Sequence, residues 1–175
     1  MRIRNWKEFI KEDLQDIEDD GRLQTIKYAF TEFTDEGDWT DFTVDHEYFP
    51  YGDGEENQDP YENIEITMNK RLRVSHDFSE RDLTMGEKTQ MISFKGVIED
   101  GRPFPPKVFY ITNVSHRREA NVNEQEIFDN EREVLYMLED ACGKICSELD
   151  MECVYLLTIH RSMYSINAHF WKYED

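Results

Sequence analysis

From Tyr28 to Asn69 the chain has no lysine or arginine, yet this stretch carries thirteen carboxylates and nine aromatic side chains. Disordered acidic tails contain few aromatic residues, because they bury no core. A segment that is both acidic and aromatic is therefore expected to fold, with its rings directed inward and its carboxylates outward. Such a surface produces a strong negative field, which repels nucleic acid and attracts basic protein surfaces.

The bulk properties of the chain limit its class. Residues 1–175 are expected to form a single domain, since 175 residues suffice for one real core. The formal net charge is −19. Three cysteines in no disulfide-like spacing favour a reducing compartment. The chain shows no apolar signal core and no apolar run of ~20 residues, so we expect a soluble cytoplasmic protein (host cytoplasm if viral) without membrane contacts.

Hydrophobic periodicity predicts an α+β fold, with a mainly antiparallel sheet of about six to seven strands. Helical spacing predicts an N-terminal helix over 5–18 and one long helix over about 123–149, both packed on the sheet. Alternation and short connections predict antiparallel strands. These strands are expected at 23–33, 39–49, 63–74, 88–100, 107–114, 153–161 and 164–173.

The first two predicted strands form a hairpin whose outer face is lined with carboxylates. Over 39–49, Trp39, Asp41, Asp45 and Glu47 are expected on that face, with Phe42 on the other. Turn formers, carboxylates and two prolines predict an acidic flexible loop over 50–61. The prolines at 103, 105 and 106 predict a rigid, extended connection between two later strands.

No motif in the sequence identifies a reaction. The chain has no Walker lysine loop, no GxGxxG, no GxSxG and no HExxH, so nucleotide hydrolysis and dinucleotide redox chemistry are disfavoured. His160 begins a His-x-Ser triplet of the form that two-histidine phosphoesterases use, but the required second copy is missing. We therefore predict no catalytic residue and no cofactor, and interpret His160 and His169 as structural histidines of the last hairpin.

Three clusters have the composition of a metal site, and for each we favour an ordinary role. Cys142 and Cys146, one helical turn apart, lie on the apolar stripe of the long helix, which indicates core packing rather than zinc binding with a histidine. The loop 53–59 has clustered oxygens, but it lacks the EF-hand pattern, so a solvated loop is favoured over a Ca²⁺ or Mg²⁺ site. The carboxylates within 32–47 lack the nearby lysine of a metal-dependent nuclease.

A basic cluster follows the acidic stretch. Lys70, Arg71 and Arg73 together with Arg117 and Arg118 could bind a phosphate or pair with the acidic residues inside the fold. We favour pairing within the fold.

These observations favour a non-enzymatic acidic protein that binds or inhibits a basic partner. In its sharpest form, the hypothesis is a nucleic-acid mimic of phage or mobile-element type, which docks on a nucleic-acid-binding enzyme and does not itself bind nucleic acid. The alternatives are a structural subunit of a larger assembly, such as a phage tail or neck component, and a small-molecule hydrolase with an unrecognised site. The predicted partner-binding residues are Glu32, Asp35, Glu36, Asp38, Asp41, Asp45, Glu47, Asp53, Glu55, Glu56 and Asp59.

Overall fold

The structure, a computed structural model, describes residues 21–35, 38–49, 61–72, 91–111, 117–120, 129–160 and 163–173. Their helices and strands are α1 (Arg22–Ala29), α2 (Thr31–Asp35), β1 (Trp39–Phe49), β2 (Tyr61–Arg71), β3 (Met91–Glu99), β4 (Arg102–Ile111), β5 (Arg117–Ala120), α3 (Asp129–Leu149), β6 (Glu152–His160) and β7 (Met163–Tyr173). The strands form one sheet in the order β1-β2-β7-β6-β3-β4-β5, and every neighbouring pair is antiparallel. The predicted α+β class is thus confirmed. The helix predicted over 5–18 and the first residues of 123–149 lie outside the described residues.

The hydrophobic core lies between one face of the sheet and the helices. In β7, Tyr164, Ile166, Ala168 and Phe170 are buried and alternate with half-buried residues, as period-two packing requires. Helix α3 packs on β6 and β3, α1 packs on α3, and α2 packs on β1. We call the sheet face under α3 the core face and the opposite one the second face. None of the described helices is long and apolar enough to cross a membrane.

Helix α3 uses the predicted apolar stripe to cover the sheet. Leu138, Cys142 and Ile145 are fully buried, while Val134 is half-buried and packs against the edge of the core. The hydroxyl of Tyr164 on β7 donates a hydrogen bond to the Glu131 Oε1 atom of α3 at 3.1 Å. The helix is therefore held by apolar packing and by a buried polar contact near its first turn.

The strand predicted over 23–33 is wrong, because these residues form α1 and α2. Their buried side chains are Ile26, Ala29, Phe30 and Phe33, which follow the three- and four-residue spacing of a helix rather than strand alternation. The predicted hairpin of 23–33 with 39–49 is consequently also wrong. Strand β1 pairs with β2 instead, across residues 50–60, which lie outside the described part of the chain.

A β-bulge reverses the expected facing of Trp39. The β1–β2 register shifts between Thr40 and Thr43, and Asp41 in this bulge has φ 57°. Aspartate tolerates this left-handed conformation better than most residues. Trp39 therefore points to the core face, is 8% exposed and meets the Phe33 ring edge-on at 5.3 Å. Its predicted position among the outward carboxylates is wrong.

The three prolines expected in a connection lie inside β4 instead. Asp100 and Gly101 alone connect β3 to β4, and both have the positive φ that a type I′ hairpin turn requires. Pro105 and Pro106 stand opposite Gly96, where the β3–β4 register shifts, so their missing N–H groups fall at a bulge. The β6–β7 hairpin follows its prediction to within one residue at each end. The short strand β5 was not predicted.

Candidate functional site

The candidate docking surface consists of the exposed carboxylates on α2, β1 and the short connection between them. We call this surface the acidic edge. Its residues, all exposed, are Glu32, Asp35, Asp38, Asp41, Asp45 and Glu47. The other predicted partner-binding residues, Glu36, Asp53, Glu55, Glu56 and Asp59, lie outside the described residues.

The edge position of β1 explains why these carboxylates are accessible. Strand β1 pairs with β2 on one side and is the outermost strand of the sheet. Asp45 and Glu47 alternate with Val44 and His46, which turn toward the core face, so both carboxylates lie on the second face. Asp41 protrudes from the bulge, and its Oδ2 accepts hydrogen bonds from Thr40 Oγ1 at 3.3 Å and Asn69 Nδ2 at 3.4 Å.

Two carboxylates stand directly opposite each other across β1 and β2. Asp45 is the register partner of Glu65, and both side chains lie on the second face. Like charges at such a position destabilise a sheet. Glu65 accepts a hydrogen bond from Asn167 Nδ2 at 2.6 Å, and no cationic nitrogen of the described residues lies within 4.0 Å of either carboxylate. Among the described residues, negative charge is therefore concentrated here without a neutralising cation.

One residue of the predicted basic cluster does pair with the acidic edge. Lys70 Nζ lies 3.5 Å from Asp38 Oδ2 and 5.7 Å from the centre of the Trp39 ring. This arrangement agrees with pairing inside the fold rather than with phosphate binding. Asp38 is two-thirds exposed, so the ion pair is solvated and contributes little to stability.

The most strongly held carboxylate of the acidic stretch is one that the sequence interpretation missed. Glu62 is only 5% exposed, and its Oε1 accepts hydrogen bonds from Arg22 Nη1 of α1 and from His46 Nε2 of β1, the latter at 2.8 Å. The signal was its phase, since Glu62 precedes Ile64, Ile66 and Met68 at two-residue steps and so faces the core. Glu62 therefore serves the fold by linking α1, β1 and β2.

The cysteines are buried and reduced, as predicted for Cys142 and Cys146. Cys142, Cys146 and Cys153 are all free thiols in the core. A hydrogen bond to Cys153, together with burial, raises the pKa of Cys146, and burial raises the pKa of Cys153. Protonated thiols are weak nucleophiles and weak metal ligands. Within the described ranges, no group of three or more His, Cys, Asp or Glu side chains is arranged to hold a metal ion.

These buried thiols predict a loss of stability at alkaline pH. The pKa values of Cys146 and Cys153 are raised above the ordinary 9.0, so these two thiols lose their protons at a lower pH in the unfolded chain than in the folded protein. The stabilisation is complete below about pH 9 and decreases above it, by up to ~1.4 kcal/mol per pH unit for the fully buried Cys153. Urea unfolding measured at successive pH values should show this slope. In the variant Cys146→Ala with Cys153→Ala, the free energy of unfolding should decrease less steeply with pH. An unchanged slope would contradict the assignment of the pH dependence to these two thiols.

The two histidines of the last hairpin do not form a joint site. His160 is the register partner of Met163 at one end, while His169 is the partner of Val154 further along the hairpin. His160 is exposed, and His169 packs at 5.6 Å from the Trp171 ring on the second face. The prediction that they are structural residues stays a prediction.

Comparisons of this chain with protein-family models, with curated proteins and with solved structures give no match.

Proposed function

We propose that this chain is a non-enzymatic binding protein that docks its acidic edge on a basic surface of a partner protein. The observation that carries the proposal is the set of exposed carboxylates on an outermost strand, with Asp45 placed directly opposite Glu65 and no described cation beside them. Like-charge repulsion across a sheet is unfavourable for the isolated protein. A cationic partner surface would relieve it.

The spacing of the carboxylates supports a narrower version of the proposal, mimicry of one nucleic-acid strand. Side chains on one face of a strand recur every ~6.7 Å, whereas one DNA strand carries a phosphate for every ~3.4 Å of helix axis. Asp45 and Glu47 alone therefore supply about half as many negative charges per unit length as one DNA strand, and Glu65 on the neighbouring strand adds a further charge. A partner of this chemistry is a nucleic-acid-binding enzyme with a groove of lysine and arginine, of the kind that phage or mobile-element inhibitors block.

Removing three charges of the acidic edge should slow association with the partner. The variant Asp41→Asn with Asp45→Asn and Glu47→Gln keeps the side-chain shapes, and asparagine also tolerates the φ of residue 41. We expect the association rate to fall roughly tenfold or more at low salt, because charges at an interface act mainly by steering. The partner would be isolated by affinity purification with the full chain, and its binding rates would then be measured for each variant at low and high salt.

A matched control variant removes three negative charges that lie outside the acidic edge. The residues Glu99, Asp100 and Glu133 are also exposed, so Glu99→Gln with Asp100→Asn and Glu133→Gln lowers the net charge equally. We expect this variant to bind nearly as the wild type does. Equal binding by the wild type and the acidic-edge variant at low salt would refute the proposal, provided that their melting curves agree.

The same outermost strand favours a second candidate, a structural subunit that assembles through β1. Unpaired strand edges are templates for pairing with another chain. Two copies joined at β1 would bring the Asp45 and Glu47 carboxylates of both close together, so such assembly should strengthen with salt as repulsion is screened. The molar mass in solution discriminates between the two candidates. A binding protein should remain a monomer or dimer at every salt concentration, whereas a subunit should form larger species.

A further inference from the structure

A groove of about 450 Å³ lies between one side of α3 and the tip of the β3–β4 hairpin. Gly101 and Pro103 line it on the hairpin side, and Tyr136, Gly143 and Ser147 line it on the helix side. The groove lies beside β3, four strand spacings or ~19 Å from β1, so it is separate from the β1 carboxylates of the acidic edge, although Lys144 in its wall interacts electrostatically with Glu32 of α2. We propose that this groove is a second docking site, which binds an extended, arginine-containing segment of a partner protein.

The charge of the groove favours a cationic occupant. Its charged residues are three carboxylates, Glu139, Asp140 and Glu148, and one ammonium, Lys144. Lys144 Nζ lies 2.7 Å from Asp140 Oδ2, and this contact raises the pKa of Lys144. One carboxylate is thereby balanced, which leaves two negative charges. No cationic nitrogen of the described residues lies within 4.0 Å of Glu139 or Glu148.

The glycine in the groove wall indicates close approach by an occupant. Gly143 lies inside the long helix α3, where glycine is less favourable than alanine. A Cβ atom built on Gly143 would meet no atom of the described residues within 4 Å, so packing against this part of the chain does not require glycine there. The absent side chain leaves the wall open, so the backbone of a bound segment can lie against the helix.

The exposed tyrosine of the groove favours arginine over lysine. Tyr136 is 65% exposed although it is a large ring on the helix. A guanidinium group lies flat on an aromatic face and binds a carboxylate through two parallel hydrogen bonds, whereas the ammonium group of lysine has neither the planar shape nor the two parallel donors. From Tyr136 to Ser147 the helix rises ~16.5 Å, which matches about five extended residues.

Amide NMR spectra of the full chain can test the site with a short peptide. The probe is Ac-Arg-Gly-Arg-Gly-Arg-NH2, and its control carries glutamine in place of each arginine. We expect saturable shifts at Gly101, Gly143 and Ser147, with binding of the glutamine peptide weaker by about tenfold or more, since hydrogen bonds to charged groups are the stronger ones. Shifts that are absent from these amides, or equal for both peptides, would overturn the proposal.

Two substitutions separate binding from folding. Gly143→Leu fills the open space and favours the helix, so its Tm should equal or exceed that of the wild type while the groove shifts disappear. Glu148→Gln should weaken binding several-fold, whereas Glu133→Gln, on the same helix outside the groove, should not. Unchanged binding by Gly143→Leu would exclude the groove. The experiment also separates this inference from the proposed function, because a partner contact at β1 appears at the amides of Thr43 and Asp45 instead.

Discussion

Replacing Gly96 with alanine is expected to lower the free energy of unfolding by about 3 kcal/mol, at the upper end of typical overpacking effects. Gly96 lies on β3 directly opposite Tyr155 of β6, and the tyrosine ring covers it. A Cβ atom at residue 96 would lie 2.0 Å from Tyr155 Cζ and 2.2 Å from its hydroxyl oxygen. The ring cannot move aside freely, because it is 1% exposed and its hydroxyl donates a hydrogen bond to Glu139 of α3 at 3.1 Å.

A second glycine provides a control of the opposite sign. Gly143→Ala makes the same chemical change at a helix position where the new methyl group meets no atom of the described residues within 4 Å, so it should stabilise the protein by up to ~1 kcal/mol. For a chain of this size, Gly96→Ala should lower Tm by roughly 6–12 °C. Thermal and urea unfolding measure both effects. Tyr155→Leu should recover part of the loss in Gly96→Ala, and a Gly96→Ala variant as stable as the wild type would show that the ring is not fixed.

The parts of the fold that the sequence predicts well are those with one strong period and no competing signal. In α3, Leu138, Cys142 and Ile145 recur at helical spacing, and the structure buries all three. In β6 and β7 strict alternation continues up to a short break, so the hairpin at 152–160 and 163–173 follows directly. These elements contribute about half of the buried hydrophobic residues of the described chain, which is why the fold class was predictable.

The wrong predictions have physical causes that the local sequence pattern does not show. Over 23–33 the spacing of Ile26, Phe30 and Phe33 is helical, but alternating polar residues also fit a strand, and only packing against α3 decides between them. The facing of Trp39 depends on a one-residue bulge, which shifts alternation by one position. The role of Pro105 and Pro106 depends on the register with Gly96, which is a contact between separate strands.

The candidate site was predictable in composition but not in geometry. The absence of lysine and arginine over 28–69 correctly predicts that Asp41, Asp45 and Glu47 are exposed. It gives no indication that Asp45 faces Glu65, because this pairing depends on the register between β1 and β2. The groove beside α3 was not predicted either, since its two walls come from separate parts of the chain.

Replacing Glu62 with glutamine is expected to lower the free energy of unfolding by about 2 kcal/mol, and replacing it with alanine by about 3 kcal/mol or more. The carboxylate is buried and receives hydrogen bonds from Arg22 and His46, whose side chains are only 35% and 20% exposed. Its removal leaves a guanidinium group without this counter-charge in a partly desolvated place. Glutamine can still accept one of the two hydrogen bonds, which is why its effect is smaller. Urea unfolding of the purified variants measures both losses.

The control for Glu62 is Glu65, the next carboxylate along β2, whose side chain lies on the second face instead of the core face. Glu65→Gln removes one of two opposed negative charges, so its effect should be within ~0.5 kcal/mol or slightly stabilising. Amide hydrogen exchange shows which part of the structure loses stability. Because Arg22 belongs to α1, Glu62→Gln should speed exchange at the α1 amides more than at those of β6, which lies on the far side of β7. Equal stability of Glu62→Gln and Glu65→Gln would mean that the buried carboxylate does not hold α1 against the sheet. Another interaction would then have to fix α1 and the neighbouring acidic edge in place.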